Sequence, residues 1–154
     1  MSKVTPFLMF NEKLESAIEF YTSTFPDSRV TNVARAGNDG PINSAEFVIG
    51  GQSFMGYNGG AYFTFSEGVS LFVECEDQEE VDEYWNKLVR AGATRKQCGW
   101  ITDQFGLSWQ IVPKRFVELI RDKNPAKVKA VMDAMMEMEK LDVAALERAY
   151  HSVR

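Results

Sequence analysis

Apolar positions along the chain recur in two rhythms, one of period two and one of helical spacing. Val4–Phe10 is mainly apolar and reads as a buried strand, with Pro6 tolerated near its start. Leu14, Ala17, Ile18, Tyr21 and Phe25 then follow at helical intervals, with Asn11 as the candidate N-cap and Pro26 as the stop. Arg29–Ala36, Ser44–Ile49 and Gln52–Tyr57 read as three strands, the last two joined by Gly50-Gly51 as a two-residue hairpin turn. The same order of events then returns. Val69–Cys75 reads as a strand, and Asp77 with Glu80 carries a capping-box signature. The helix it opens has the inward stripe Val81, Tyr84, Trp85 and Leu88 and stops at Gly92. Thr94–Gly99, Trp100–Gln104 and Leu107–Val112 complete the second set of strands. The pattern therefore predicts two tandem βαβββ units, about residues 4–58 and 69–113, in an α+β protein.

An internal repeat supports this division. A shift of 64 residues places Pro6–Phe10 on Ser70–Glu74 and Phe20-Tyr21 on Tyr84-Trp85, while Gly51–Met55 echoes Gly106–Gln110 at a shift of 55. The first unit thus carries about nine more residues between its helix and its last strand, which the Gly- and Asn-containing run Arg35–Asn43 accommodates. Residues 1–114 form one paired domain on this reading, and residues 115–154 a helical tail without counterpart in the first unit. In the tail, Phe116–Arg121 spans one or two turns, Asn124-Pro125 is an N-cap followed by proline at the first helical position, and Asp142 caps a last helix. Val128, Val131, Met132, Met135 and Met138 make an apolar face, which is expected to pack across the two-fold of a homodimer.

Composition narrows the chemistry. A net charge of −5 argues against a nucleic-acid backbone as partner. No apolar run reaches membrane-spanning length, and MSKVTPF has no basic-then-apolar leader, so the expectation is a cytoplasmic protein without membrane attachment. Cys75 and Cys98 lack CxxC spacing and read as reduced thiols. The single histidine, His151, lies at the end of the tail, so neither a histidine-rich zinc site nor a Ser-His-Asp arrangement fits the main body.

Paired βαβββ units with an aromatic pair on each helix resemble the vicinal oxygen chelate superfamily, which includes glyoxalase I, extradiol dioxygenases and bleomycin-resistance proteins. More narrowly, TPFLMF, AIEFY, FPDS, the NGG join, CGW and FGLSWQIVP, with a methionine-bearing tail ending LDVAALERAY, are similar to its PhnB-like branch, often labelled 3-demethylubiquinone-9 3-methyltransferase-like. The resemblance implies a glyoxalase-like fold of curled mixed sheets whose concave faces hold a small ligand. Metal-using relatives place ligands at positions that the internal alignment carries to Pro6, Met55, Ser70 and Gln110. Proline has no ligand atom, methionine is a soft thioether and only Ser70 and Gln110 offer neutral oxygens, so no metal and no cofactor is expected.

By strand alternation, Leu8 and Phe10 share a face with Pro6, Phe72 and Glu74 with Ser70, Tyr57 with Met55, and Ser108 with Gln110. Phe63, Trp100 and Trp109 are candidate walls of the same ligand site, set against the alternative that they are ordinary core. Glu74, if enclosed among apolar groups, is a candidate general acid or base; the alternative is a strand-end carboxylate in water. Two functional readings stay open: a metal-independent small-molecule binder, and an enzyme acting on a small organic substrate through Glu74, Tyr57 or Gln110.

Overall fold

The first unit begins with Phe7–Phe10 (β1), followed by helix Leu14–Thr24 (α1) and strands Arg29–Arg35 (β2), Ile42–Ile49 (β3) and Gln52–Asn58 (β4). The computed structural model describes residues 2–154, which fall into two compact units, one ending at Phe65 and the other spanning Ser66–Arg154. The first sheet has the order β1-β4-β3-β2, with β1 parallel to β4 and the other neighbours antiparallel. Its core is made of Leu14, Ala17, Ile18 and Tyr21 of α1 with Leu8, Phe10, Phe47 and Phe54 of the strands, all nearly solvent-free. Gly56 permits the helix to approach this closely: a Cβ there would lie 2.7 Å from the Leu14 Cδ1 and 3.1 Å from the Phe47 ring. Gly50 and Gly51 both take positive φ, 55° and 85°, as the tight turn between β3 and β4 requires.

The start of α1 departs from the expected cap. Glu12 adopts φ 63°, Lys13 occupies the N-cap position without a side-chain cap, and Asn11 takes no part. The cap arrives from a distant strand instead. Asn58 Oδ1 accepts the Leu14 N–H at 3.0 Å, and its Nδ2 donates to the Ile42 carbonyl at 3.1 Å. One amide therefore clamps the helix start to the beginning of β3 and the end of β4.

In the second unit Leu71–Cys75 (β5) leads to Gln78–Arg90 (α2), then Thr94–Arg95 (β6), Trp100–Thr102 (β7) and Ser108–Pro113 (β8), in sheet order β5-β8-β7-β6. Asp77 caps α2 as the sequence predicts, accepting the Glu80 N–H at 3.0 Å, and Val81, Tyr84, Trp85 and Leu88 are its buried stripe. Strand β6 is much shorter than the expected Thr94–Gly99. Cys98 and Gly99 turn into left-handed conformations, φ 64° and 82°, and their N–H groups donate to the carbonyls of Met138 and Glu139 rather than extending the sheet.

Those two bonds attach the tail, which comprises Lys114–Leu119 (α3), Pro125–Met136 (α4) and Val143–His151 (α5). Asn124 and Asp142 cap α4 and α5 as expected, accepting from Ala126 N at 3.0 Å and Ala145 N at 3.2 Å. The tail's apolar face finds its partners within the same unit. Val131, Leu141 and Leu146 are fully buried with Val112, Phe116 and Leu119, and Met135 and Met138 pack against them. Of the methionines on α4, Met132 and Met136 remain exposed, while the rest of the apolar face is covered within the unit. No helix among the described residues is long and apolar enough to cross a membrane.

Polar contacts complete the docking of the tail. Arg115 pairs with Glu147 and Glu118, His151 meets Glu147 at 3.2 Å, and Tyr150 donates to Asp122 at 2.6 Å. The hydrogen bond from Arg115 holds the Glu147 carboxyl below its ordinary pKa, and that from Tyr150 does the same for Asp122.

Two outcomes follow from these contacts. Asn58→Ala leaves a helix N–H and a strand carbonyl without their shared partner, so unfolding stability in urea should fall by about 2–4 kcal/mol, whereas a loss below about 0.5 kcal/mol would refute the clamp. For the tail, depressed carboxyl values mean a contribution that is full above the unfolded-state pKa and lost as pH falls through the lower folded-state value. The α5 amide resonances should therefore hold steady down to pH of about 4 and shift below it. Resonances unchanged well below that pH would show that the two carboxylates do not hold the tail.

Candidate functional site

Each sheet has one face covered by its own helix and one that the helix leaves open, and strand register decides which side chains stand on the open face. In the first unit Phe7 lies opposite Met55, Met55 opposite Glu46, and Tyr57 opposite both Met9 and Ser44. Phe7, Met55 and Tyr57 accordingly share the open face, and Phe7 is 51% exposed. Leu8 and Phe10 stand on the other face, in the α1 core, which reverses their expected orientation. The cause is a one-residue slip in the internal alignment. Phe7 faces Met55 as Phe72 faces Gln110, so the first strands superpose at a shift of 65 rather than 64. Phe63 follows a single 3-10 turn after β4 and is half exposed, its ring close to Gly59.

In the second unit Phe72 and Trp100 flank Gln110 from β5 and β7, making a row of aromatic, amide and aromatic across three strands. Gln110 Nε2 donates to Ser70 Oγ at 3.0 Å. The bond consumes one amide proton and one hydroxyl lone pair, so the pair still presents the Gln110 carbonyl as acceptor and the Ser70 O–H as donor. Phe72 is 52% exposed and Trp100 partly buried, whereas Ser108 is almost wholly buried opposite Thr102. Glu74 is on the open face but exposed to solvent, so the apolar enclosure on which an acid or base role was argued does not surround it.

Trp109 is a correction too. It is 1% exposed, on the face of β8 covered by α2, and its Nε1 donates to Asp103 Oδ2 at 2.8 Å. Asp103, itself buried, also accepts the N–H groups of Phe105 and Leu107 through Oδ1, each at 2.9 Å. One carboxylate thereby folds the 103–107 hairpin and fixes the Trp109 ring, and with it the direction in which Gln110 points. The two thiols differ in surroundings. Burial pushes Cys75 up to about 12, away from reactivity, while Cys98 is half-buried with its Sγ 3.6 Å from Met136 Sδ.

The corrected register makes Thr5 rather than Pro6 the counterpart of Ser70, so at the positions carried over from metal-using relatives the first unit offers a hydroxyl and a thioether, Thr5 and Met55, and the second a hydroxyl and an amide, Ser70 and Gln110, none of them charged. No group of three or more His, Cys, Asp or Glu side chains able to hold a metal comes together among the described residues.

The family described as 3-demethylubiquinone-9 3-methyltransferase matches residues 2–112. The chain belongs to this family. Within it stands a PhnB protein from Bacillus cereus that is 33% identical, with a TM-score of 0.67 over 73% of this chain and 99% of that one. A Pseudomonas aeruginosa protein of known crystal structure shares the fold at 18% identity, with a TM-score of 0.60 over 73% of this chain and 98% of its own. The fosfomycin resistance protein FosX of Listeria monocytogenes, crystallised with Mn(II) and sulfate, is similar at 15% identity and a TM-score of 0.51, covering 71% of this chain and 87% of that one. No curated protein matches the chain. The family membership places the chain in the PhnB-like branch of the glyoxalase and bleomycin-resistance superfamily, and the glyoxalase-like architecture is the one seen here. The matched segment ends at the last residues of β8, so the tail lies outside it.

Residues that the sequence left unremarked now matter: Phe7 and Glu46 on the open face of the first sheet, and Asp103 beneath the second. Glu46 had a signal, the lone charge in β3, standing between Ala45 and Phe47. Asp103→Ala removes three acceptor contacts of a buried carboxylate and should lower stability by about 3 kcal/mol or more. Trp109 emission should shift to the red in the folded state of that variant. An unchanged spectrum and stability would show that the hairpin holds the ring without it.

Proposed function

We propose that this PhnB-like chain is a small-molecule-binding protein that works without a metal ion, through the open face of its second sheet. The observation that carries the reading is the Phe72–Gln110–Trp100 row with Ser70 bonded to Gln110. Two aromatic walls supply apolar contact, and a neutral donor–acceptor pair supplies orientation, which is how small-molecule sites are commonly built. Uncharged oxygens suit a neutral carbonyl or hydroxyl ligand rather than a strongly charged one. Absence of a metal belongs to the same proposal, on the ground of the uncharged donor set.

Methyl transfer from a nucleotide-type cofactor is left out of the proposal because of the local chain. The strand-to-helix connection before α1 is Asn11-Glu12-Lys13 and that before α2 is Glu76-Asp77, neither of them the glycine-rich strand-to-helix turn of an alternating α/β sheet that a typical S-adenosylmethionine site uses. Assembly as a homodimer is part of the proposal, supported by apolar side chains left in solvent such as Val69 and Met136, and so is a place in the cytoplasm.

Metal analysis and ligand screening on the same preparation test the reading. The purified chain should carry only substoichiometric Zn, Ni, Fe and Mn. A panel of small aromatic ketones and dicarbonyls, phenylglyoxal and acetophenone among them, should contain a compound that raises the melting temperature with or without EDTA. At about 100 times its Kd such a ligand stabilises by about 2.7 kcal/mol, a shift of several degrees. Phe72→Ala and Gln110→Ala should each weaken that shift by about 1–3 kcal/mol of binding energy. One metal per chain lost in a Ser70→Ala, Gln110→Ala double variant, or a shift indifferent to both single variants, would overturn it.

A further inference from the structure

The open face of the first sheet has a hollow of about 130 Å³ whose chemistry differs from that of the second. Phe7, Val33, Ser44, Glu46 and Met55 are among its lining residues. Register places Phe7, Met55, Glu46 and Asn32 in one row across β1, β4, β3 and β2. Glu46 occupies the position that Trp100 holds in the second unit, since each stands opposite the equivalent residue of the last strand, Met55 or Gln110. The hollow therefore has a carboxylate where the other sheet has an indole.

That carboxylate is partly buried and without a partner among the described residues. The Thr31 hydroxyl donates to the Glu46 backbone carbonyl at 3.0 Å, not to its side chain. Of the arginines on the same edge strand, Arg29 is paired with Asp27, and Arg35 with Glu15 and the Gly40 carbonyl. A partly buried carboxylate without a partner, on one face with a phenylalanine ring and a thioether, leaves its charge to be met by a cation from solution. Size bounds the cation: a cavity of about 150 Å³ takes one benzene ring, so a hollow slightly smaller and open on one side suits a single ring or a short alkyl group bearing the charge.

We propose that this hollow binds a small organic ammonium compound. The charged nitrogen pairs with the Glu46 carboxylate, its carbon substituents lie on the Phe7 ring and the Met55 side chain, and the Ser44 hydroxyl and Asn32 amide accept any further N–H. An ammonium is favoured over a metal ion because a single carboxylate surrounded by apolar groups lacks the oxygen ligands a hard cation requires, while an alkylammonium gains from both the charge and the aromatic face. The proposal rests on residues of the first sheet alone, and neither reading depends on the other.

Benzylammonium, benzyltrimethylammonium, benzyl alcohol and benzoate form a set of similar size that differs in charge, and binding to the full chain can be followed by the amide and methyl resonances of Phe7, Glu46 and Met55. Both cations should bind at concentrations up to about 10 mM, at least about tenfold more tightly than benzyl alcohol, with benzoate weakest. Glu46→Gln keeps the shape of the side chain and should remove that tenfold preference while leaving benzyl alcohol unaffected; Phe7→Leu should weaken all the ligands, the cations most. Far-UV circular dichroism confirms that each variant is folded. Equal affinity for benzylammonium and benzyl alcohol, or cation binding undiminished in Glu46→Gln, overturns the proposal. So does a hollow that takes no cation in the wild-type chain while Glu46→Gln changes the dissociation of a dimer, because the carboxylate then faces a second copy. Gln110→Ala reads the second-sheet site, so failure of one proposal is told from failure of the other.

Discussion

A strand presents alternate residues to opposite faces, so one backbone register decides for a whole sheet which side chains meet the helix and which remain available for a ligand. In this protein each register is held by a polar side chain, one reaching across the chain and the other acting within its own hairpin. Asn58 ties the end of β4 to the start of α1 and of β3, which sets Leu8 and Phe10 inward and Phe7 and Met55 outward. Asp103 gathers three N–H donors in the last hairpin, which turns Trp109 inward and therefore Gln110 outward. The apolar cores supply most of the folding free energy, but these two side chains select among the ways of arranging them.

The two units share a topology without sharing a surface. Equivalent positions on the open faces carry Met55 and Gln110, Glu46 and Trp100, Met9 and Glu74. The inward positions stay apolar in both because each must fill space against a helix, while the outward ones are released from that demand and have diverged. Even the clamp has been replaced: Pro113 lies opposite Cys75 where Asn58 lies opposite Phe10, and α2 relies on its own Asp77 as cap. Freed from capping duty, the end of β8 runs directly into α3.

The tail follows from that continuation. Its buried residues cover Val112, Phe116 and Leu119, and its turn carbonyls at Met138 and Glu139 accept the N–H groups of Cys98 and Gly99. Gln78 at the start of α2 donates to the Leu141 carbonyl and accepts the Val143 N–H, so the same segment is bonded at both ends of the second unit's chain. A segment of sheet edge is thereby exchanged for bonds to the tail, and the edge strand β6 keeps only two residues. Backbone groups that would otherwise present an open edge are satisfied within the unit.

Local chemistry was enough to read the element order, the inward stripes of both helices, the Asp77, Asn124 and Asp142 caps, the Gly50-Gly51 turn and the PhnB-like resemblance, because each depends on residues a few positions apart. What depends on pairing between distant segments was not legible in the same way. Alternation along β1 is equally compatible with either face, and only the partner strand decides, so an alignment slipped by one residue turned Leu8 and Phe10 outward. Asn11 had the right chemistry for a cap, but the left-handed turn at Glu12 moved it out of place, and Asn58, 44 positions beyond Leu14, took the role. The tail's methionine face was visible as apolar, yet whether it meets a second chain or its own unit rests on where α4 docks. Ser70 and Gln110 could be named from sequence, but their 3.0 Å bond and the placing of Glu46 in one row with Met55 and Phe7 exist only once the strands are side by side. Periodicity along a chain is a local property and survives in the sequence, whereas the neighbour across a sheet is set by register, which is a property of the folded whole.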